Sequence, residues 1–162
     1  MDSEGYPEES ELKLIQEWDW QDIFGLIDFI EERWAYGHWG FKKEWGHDRM
    51  KLHKMPVLLL ELHTGGWSGN ESIINSLLEN RMAVIVLGYY QWNTGGHYRF
   101  QCNPFSIGFK PVAEFAAQLS VSRQYIHRTK EKYDWLTVGK RNQLVRPKVR
   151  EYSIDSTKTV KP

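Results

Sequence analysis

Arg123, Gln124, His127 and Arg128 are side chains of the kinds that read nucleic-acid base edges. An arginine guanidinium matches guanine bidentately, and a glutamine amide does the same for adenine. On a helix these four positions share one face, with Tyr125 at its margin and Ile126 turned away as an apolar anchor. Ser122 precedes them as a fitting N-cap, able to accept a first-turn amide. Further along, Gly139, Lys140, Arg141 and Asn142 separate two alternating runs, 136–138 and 143–146. A hairpin there carries Lys140 and Arg141 at its tip, where cations meet phosphates and position a recognition helix without specifying sequence. The candidate DNA-binding set is therefore Ser122, Arg123, Gln124, Tyr125, His127, Arg128, Lys140 and Arg141.

Two glycine-rich stretches, HTGGWSGNE at 63–71 and NTGGHY at 93–98, suggest a second chemistry. His63, Gly65, Gly66, Trp67, Ser68 and Asn70 in the first, with Gly96, His97 and Tyr98 in the second, compose a candidate pocket for a nucleotide or phosphate. The first loop leads into a helix N-terminus, whose free amides favour an anion. The alternative is that the glycines make two tight turns while the aromatic rings fill the core beside them. His38, His47, His53, His63 and His97 are the conceivable metal ligands, with Glu61 or Glu71 as base. Their spacing fits no standard motif: there is no histidine pair at one-turn spacing, no cysteine pair, no Gly-Lys-Ser/Thr phosphate loop and no Gly-x-Ser-x-Gly elbow. The expectation is a non-enzymatic protein with no metal and no cofactor, a metal-dependent hydrolase being the minor alternative. Cys102, the single cysteine, has no intrachain partner and is expected to be a buried small hydrophobe.

Several elements must position these residues. Residues 1–11 are acidic and lack apolar period, which predicts a flexible arm. In 20–34 the apolar residues Trp20, Ile23, Phe24, Ile27, Ile30 and Trp34 recur at three and four, which predicts an amphipathic helix. The stretch 36–48 (YGHWGFKKEWGHD) is too glycine-rich for a helix and is expected to pack back on the domain or line a site. Residues 57–62 read as an apolar strand. Ser68 and Glu71 have capping-box spacing and open a helix through Ile73, Ile74, Leu77 and Leu78 that stops at Asn80 and Arg81. Residues 82–92 read as a central strand, 93–96 as a turn and 97–102 as the returning strand. Beyond Asn103 and Pro104, Val112, Phe115, Ala116 and Leu119 form the apolar face of a short helix, a turn follows at 120–122, and Tyr133 and Trp135 plug the core.

The chain of 162 residues is 41% hydrophobic and 26% charged, an ordinary globular composition that excludes a disordered chain. Its zero net charge hides a division. Residues 1–103 hold nine Lys and Arg against sixteen Asp and Glu, a balance of −7, and residues 104–162 hold twelve against five, a balance of +7. A basic module is what phosphate contacts demand, because each neutralised phosphate releases counterions. No apolar run approaches the ~20 residues of a membrane span, and residues 1–11 lack the pattern of a signal peptide. The chain is expected in the cytoplasm, that of the host if it is phage-encoded, with no membrane partner.

The runs VAEFAAQLSVSRQYIHR and WLTVGKRNQLVRP resemble the compact winged helix-turn-helix of phage excisionases and the DNA-binding part of MerR-type regulators. The resemblance covers about a quarter of the chain. It implies a second helix in the major groove and a wing on the backbone, and carries those roles onto Arg123, Gln124, Tyr125, Arg128, Lys140 and Arg141. The sequence departs from the family at KEKYD, 130–134, where a shorter glycine-containing link is the pattern. GGWSGNESII and GGHYRF more loosely resemble uncharacterised small phage and prophage proteins, which implies a mobile-element setting and no activity.

The expected fold class is α+β: a flexible arm (1–11), a small acidic domain of helix, strand, helix and β-hairpin (12–103), a compact winged helix-turn-helix (104–150) and a disordered tail (151–162). The expected function is double-stranded DNA binding, as a transcriptional regulator or an excisionase-like factor, the first domain serving homodimerisation, partner or ligand binding. The alternative is a host-interaction or anti-defence protein that binds a nucleotide or a host protein through its glycine-rich loops.

Overall fold

The computed structural model describes residues 6–49, 56–138 and 142–148. The tail expected at 151–162 lies outside them, as do His53 and the hairpin tip with Lys140 and Arg141. The chain is α+β. Helices α1 (Glu9–Glu17), α2 (Ile23–Glu32) and the one-turn α3 (Gly37–Gly40) precede strands β1 (Phe41–Gly46) and β2 (Val57–His63). Helices α4 (Ser68–Glu79) and α5 (Arg81–Leu87) follow, then the hairpin β3 (Tyr89–Asn93) and β4 (His97–Cys102). These strands form one antiparallel sheet in the order β1-β2-β4-β3. Strand alternation sends Leu58, Leu60 and Leu62 of β2 and Phe100 and Cys102 of β4 to one face. There they meet Ile15, Ile23, Ile27, Ile30, Ile73, Ile74 and Leu77 in a buried cluster. Among the described residues, no helix is long and apolar enough to cross a membrane.

The second part begins with a 3₁₀ turn (Pro104–Ile107) and the short β5 (Lys110–Pro111). It continues through α6 (Val112–Gln118) and α7 (Arg123–Arg128), a 3₁₀ turn (Lys130–Lys132), and the hairpin β6 (Tyr133–Val138) and β7 (Asn142–Pro147). β5 adds to the hairpin on the β7 side, giving the order β5-β7-β6. Val112, Phe115, Ala116, Ile126 and Val145 make a small core of their own, while Ile107, Phe109, Val138 and Leu144 join the larger one. Arg146 reinforces this junction. Its side chain is 6% exposed, and its Nε pairs with Asp134 at 3.1 Å. Its Nη1 donates to the carbonyls of Gln21 and Ile107 at 2.5 and 3.2 Å, and its guanidinium lies 4.6 Å over the Phe109 ring.

Several expectations are corrected. Residues 82–92 are not one strand, because 81–87 are helical. Asn80 caps the new helix, accepting the Ala83 amide at 3.1 Å. Gly88 closes it in a left-handed conformation, φ 64°, its amide returning to Ile85 and Val84. A Cβ on Gly88 would stand 2.5 Å from the Gln101 carbonyl oxygen, so only glycine fits here. Two caps enclosing seven residues thus outweigh the β-propensity of Val84, Ile85 and Val86. The stretch 36–48 does pack back on the domain, with Phe41 of the edge strand β1 in the core and Lys43 bonded to Asp28 and Glu31, but despite its glycines it also holds the one-turn helix α3. Ser68 is not an N-cap: the cap position is Trp67, without a side-chain cap bond, and Ser68 stands inside the first turn. Helix α1 starts at Glu9, within the expected arm, with Glu11 bonded to Arg33 at 2.7 Å. Leu119 is 45% exposed rather than buried.

Asn80 also donates through Nδ2 to the carbonyls of Ile15 and Trp18, each at 3.0 Å, so one amide ties α1 to the α4–α5 corner. Asn80→Ala removes the cap, strands the Trp18 carbonyl and leaves the Ile15 carbonyl with only the Trp18 amide at 3.4 Å, and is expected to cost about 3 kcal/mol. Asn80→Asp keeps the acceptor but loses both donors and is expected to rescue little. Urea unfolding of the two variants against the parent chain measures this.

Candidate functional site

The second helix of the α6–α7 pair owes its exposure to local chemistry at both ends. Helix α6 ends with Ser120 in a left-handed conformation, φ 55°. The amides of Ser120 and Val121 return to the carbonyls of Ala117 and Ala116 at 3.1 and 3.0 Å, closing a Schellman turn. Ser122 then caps α7, its Oγ accepting the Tyr125 amide at 3.1 Å. Ile126 is fully buried and pins the helix. Arg123, Gln124, Tyr125, His127 and Arg128 all face solvent, on the face the sequence predicts. Among the described residues, neither Arg123 nor Arg128 has a carboxylate partner.

Sequence reasoning placed Trp135 in the core and passed over the lysines around it. Trp135 of β6 stands against α7, with the His127 ring 5.1 Å away at 32° and the Lys130 ammonium 5.2 Å from its centroid. Its indole donates to the Lys130 carbonyl at 3.3 Å. Lys132 and Lys148 are exposed beside it, joined through the Lys148 amide and the Lys132 carbonyl at 3.4 Å. The charge division along the sequence was the available signal, since five cations, Arg123, Arg128, Lys130, Lys132 and Lys148, border α7 and the start and end of the hairpin. The segment 130–134, where the family pattern has a shorter link, forms the 3₁₀ turn and enters β6 at Tyr133.

The second candidate set is only partly assembled. His63 and His97 are cross-strand partners, and their rings meet Nδ1 to Nδ1 with centroids 4.4 Å apart at 75°. Alternation puts them on the sheet face away from the helices, next to Glu61 and Arg99. Glu61 is already engaged by Arg49 at 3.0 Å and Arg99 at 3.4 Å. Tyr98, one residue on, faces the other way and packs against the core cluster. Asn70 is buried and fully used, bonding the amide and carbonyl of Ala35 at 3.0 Å each and reaching the Thr64 carbonyl at 3.5 Å.

Gly65 and Gly66 make a left-handed turn after the buried Thr64. The other loop comes so close that a Cβ on Gly96 would overlap the Thr64 hydroxyl. Trp67 and Tyr6 stack at 4.9 Å, and Tyr36 and Trp39, half-exposed, stack at 6.2 Å beside them. His38 and His47 are exposed. Among the described residues, no three His, Cys, Asp or Glu gather as a metal site. Cys102 is buried, which pushes its thiol up to about 12.

Burial lowers the His63 pKa below its ordinary 6.5, His97 and Arg99 add to the effect, and Glu61 opposes it. The folded state therefore favours the neutral ring, whereas the unfolded chain protonates near the ordinary value. The stability this group contributes is present above about pH 6.5 and is lost as pH falls through the lower folded value. The urea midpoint of the parent chain is expected to fall more between about pH 7.5 and pH 5 than that of His63→Gln. Comparisons of the chain with family models, with curated proteins and with solved structures give no match.

Proposed function

We propose that this chain is a double-stranded DNA-binding protein, a regulator or an excisionase-like recombination factor of phage or mobile-element type. In this reading the strand–helix–turn–helix–hairpin unit from β5 to β7 acts as a winged helix-turn-helix. The observation that carries it is α7: a capped, core-anchored helix that turns Arg123, Gln124, His127 and Arg128 outward with no acid among the described residues to satisfy its arginines. Unpaired guanidinium groups on a rigid element are already arranged for a phosphate or guanine partner. Helix α7 has six residues, so its N-terminal turns would enter the major groove and contacts would be few. Lys130 and Lys132 flank it and would meet the backbone, and Trp135 holds His127 and Lys130 in register with the hairpin. The acidic first part would face away from DNA, because its charge repels phosphate.

A second reading rests on the stacked, half-exposed Tyr36 and Trp39 beside the Gly65–Gly66 turn. Exposed rings on a fixed loop are characteristic of a protein or ligand contact, which suits a host-interaction or anti-defence role for the first part. Such a role is compatible with DNA binding by the second.

Selection of bound sequences from a random duplex pool, followed by gel-shift titration across salt, tests the leading reading. The parent chain is expected to enrich a motif and to lose affinity steeply with salt. Arg123→Ala and Arg128→Ala are each expected to cost about 1–3 kcal/mol on that motif and to relax its specificity. Lys132→Ala is expected to weaken all duplexes alike and to reduce the salt slope by about one. Absence of any salt-dependent shift would refute the proposal.

A further inference from the structure

Strands β2 and β4 bring two histidines side by side where the glycine loops leave the sheet. His63 and His97 are cross-strand partners. The next residues along, Thr64 and Gly96, are joined by the Thr64 amide and the Gly96 carbonyl at 2.9 Å. Hydrogen-bonded and non-hydrogen-bonded pairs alternate along an antiparallel ladder, so the histidines occupy the second kind, in which facing side chains stand closest. We propose that the two imidazoles form an open binding site for a divalent transition-metal ion of the zinc class, with water in the remaining positions.

The rings face each other through Nδ1, their centroids 4.4 Å apart at 75°. Two N–H groups cannot point at one another in contact, so at most one proton lies between the nitrogens and at least one of them presents its lone pair. A metal ion can take the place of that proton. Zinc bonded to two imidazoles at about 2.0–2.1 Å in tetrahedral geometry holds the nitrogens about 3.3 Å apart, so the rings part slightly on binding. Both are only partly buried. Gly95 stands beside His97, where a Cβ would lie 3.7 Å from Cδ2 and Nε2, so the loop puts no side chain against that edge. Neither Nε2 has a hydrogen-bond partner among the described residues. The proton displaced from Nδ1 passes through solvent to Nε2 of the same ring, and each imidazole binds the metal as a neutral ligand.

The face around the pair is electrically balanced. Its charged residues among those described are Lys42 and Glu44 on β1, Asp48 and Arg49 just after it, Glu61 on β2 and Arg99 on β4, three cations against three acids. These charges are also engaged locally: Lys42 pairs with Glu44 at 3.2 Å, Asp48 holds Gln101, and Glu61 receives both arginines. A dication is therefore held by nitrogen ligation rather than by the field of the surface. Imidazole suits zinc, copper and nickel, whereas magnesium and calcium require oxygen ligands. Structural zinc sites close with four protein ligands, so an ion on two imidazoles and water is exchangeable. The site lies wholly on the first part of the chain and is independent of the DNA reading.

Calorimetric titration of the full chain with zinc chloride, in a weakly coordinating buffer at neutral pH, tests the site. The expected result is saturable one-to-one binding with a Kd on the order of 10–100 µM, with no binding of magnesium or calcium at the same concentrations. His63→Gln and His97→Gln are each expected to weaken zinc by at least about tenfold, both variants being checked for the parent's circular dichroism. Nitrogen NMR of the imidazole rings in the unaltered chain supplies a readout that needs no variant: zinc is expected to move the Nδ1 signals of both His63 and His97 and to leave each Nε2 protonated. No saturable zinc binding, parent-like binding by either variant, magnesium or calcium binding as tight as zinc, or ring shifts confined to other histidines would each overturn the proposal.

Discussion

The guanidinium of Arg146 is the interaction on which the rest of the arrangement depends. A buried cation is costly unless its bonds are made, and removing one partner leaves the others stranded. Here the bonds reach four ways: to Asp134 on the neighbouring strand, to the Gln21 carbonyl ahead of α2, to the Ile107 carbonyl in the linking turn, and to the face of Phe109. The contacts come from three segments, Ile107 and Phe109 sharing the link between the two parts, so the side chain fixes where the hairpin sits relative to the first helices. Val138 and Leu144 can then enter the larger core, and the edge of Phe24 meets Phe109 at 5.9 Å. The orientation of α7 follows, because β5 and β7 support α6 and α6 supports α7.

Much of this was legible in the sequence, for identifiable reasons. Helix α2 shows its apolar period plainly, and β2 and the β3–β4 hairpin are bounded by glycine turns. The α6–α7 pair could be read because Ser122 and Ile126 are local signals: a cap acts within three residues and an anchor within one turn. Helix α5 was not legible as a helix, since Asn80 serves two helices at once and Val84–Val86 favour a strand in isolation. Strand β1 was obscured by its glycines and aromatics, and β5, two residues long, exists only because β7 is there to pair with it.

The sites follow the same division. The face of α7 depends on local order and was recovered residue by residue. The separation of Tyr98 from His97 was available in principle, since alternation alone puts neighbours on opposite faces, although a shared loop made them look like one group. Arg146 could not have been singled out: its partner carbonyl at Gln21 is 125 residues away, and no periodicity reports a contact of that range.

The burial of Cys102 has a practical side. With its thiol raised to about 12 and packed inside β4, the chain's single native thiol is chemically silent toward ordinary alkylating reagents at neutral pH. A cysteine placed on any exposed position, such as Ala117 on α6 or Thr137 on β6, would be the one addressable handle. Site-specific spin or fluorescent labels can thus report distances across the protein without first deleting a native residue and disturbing the core.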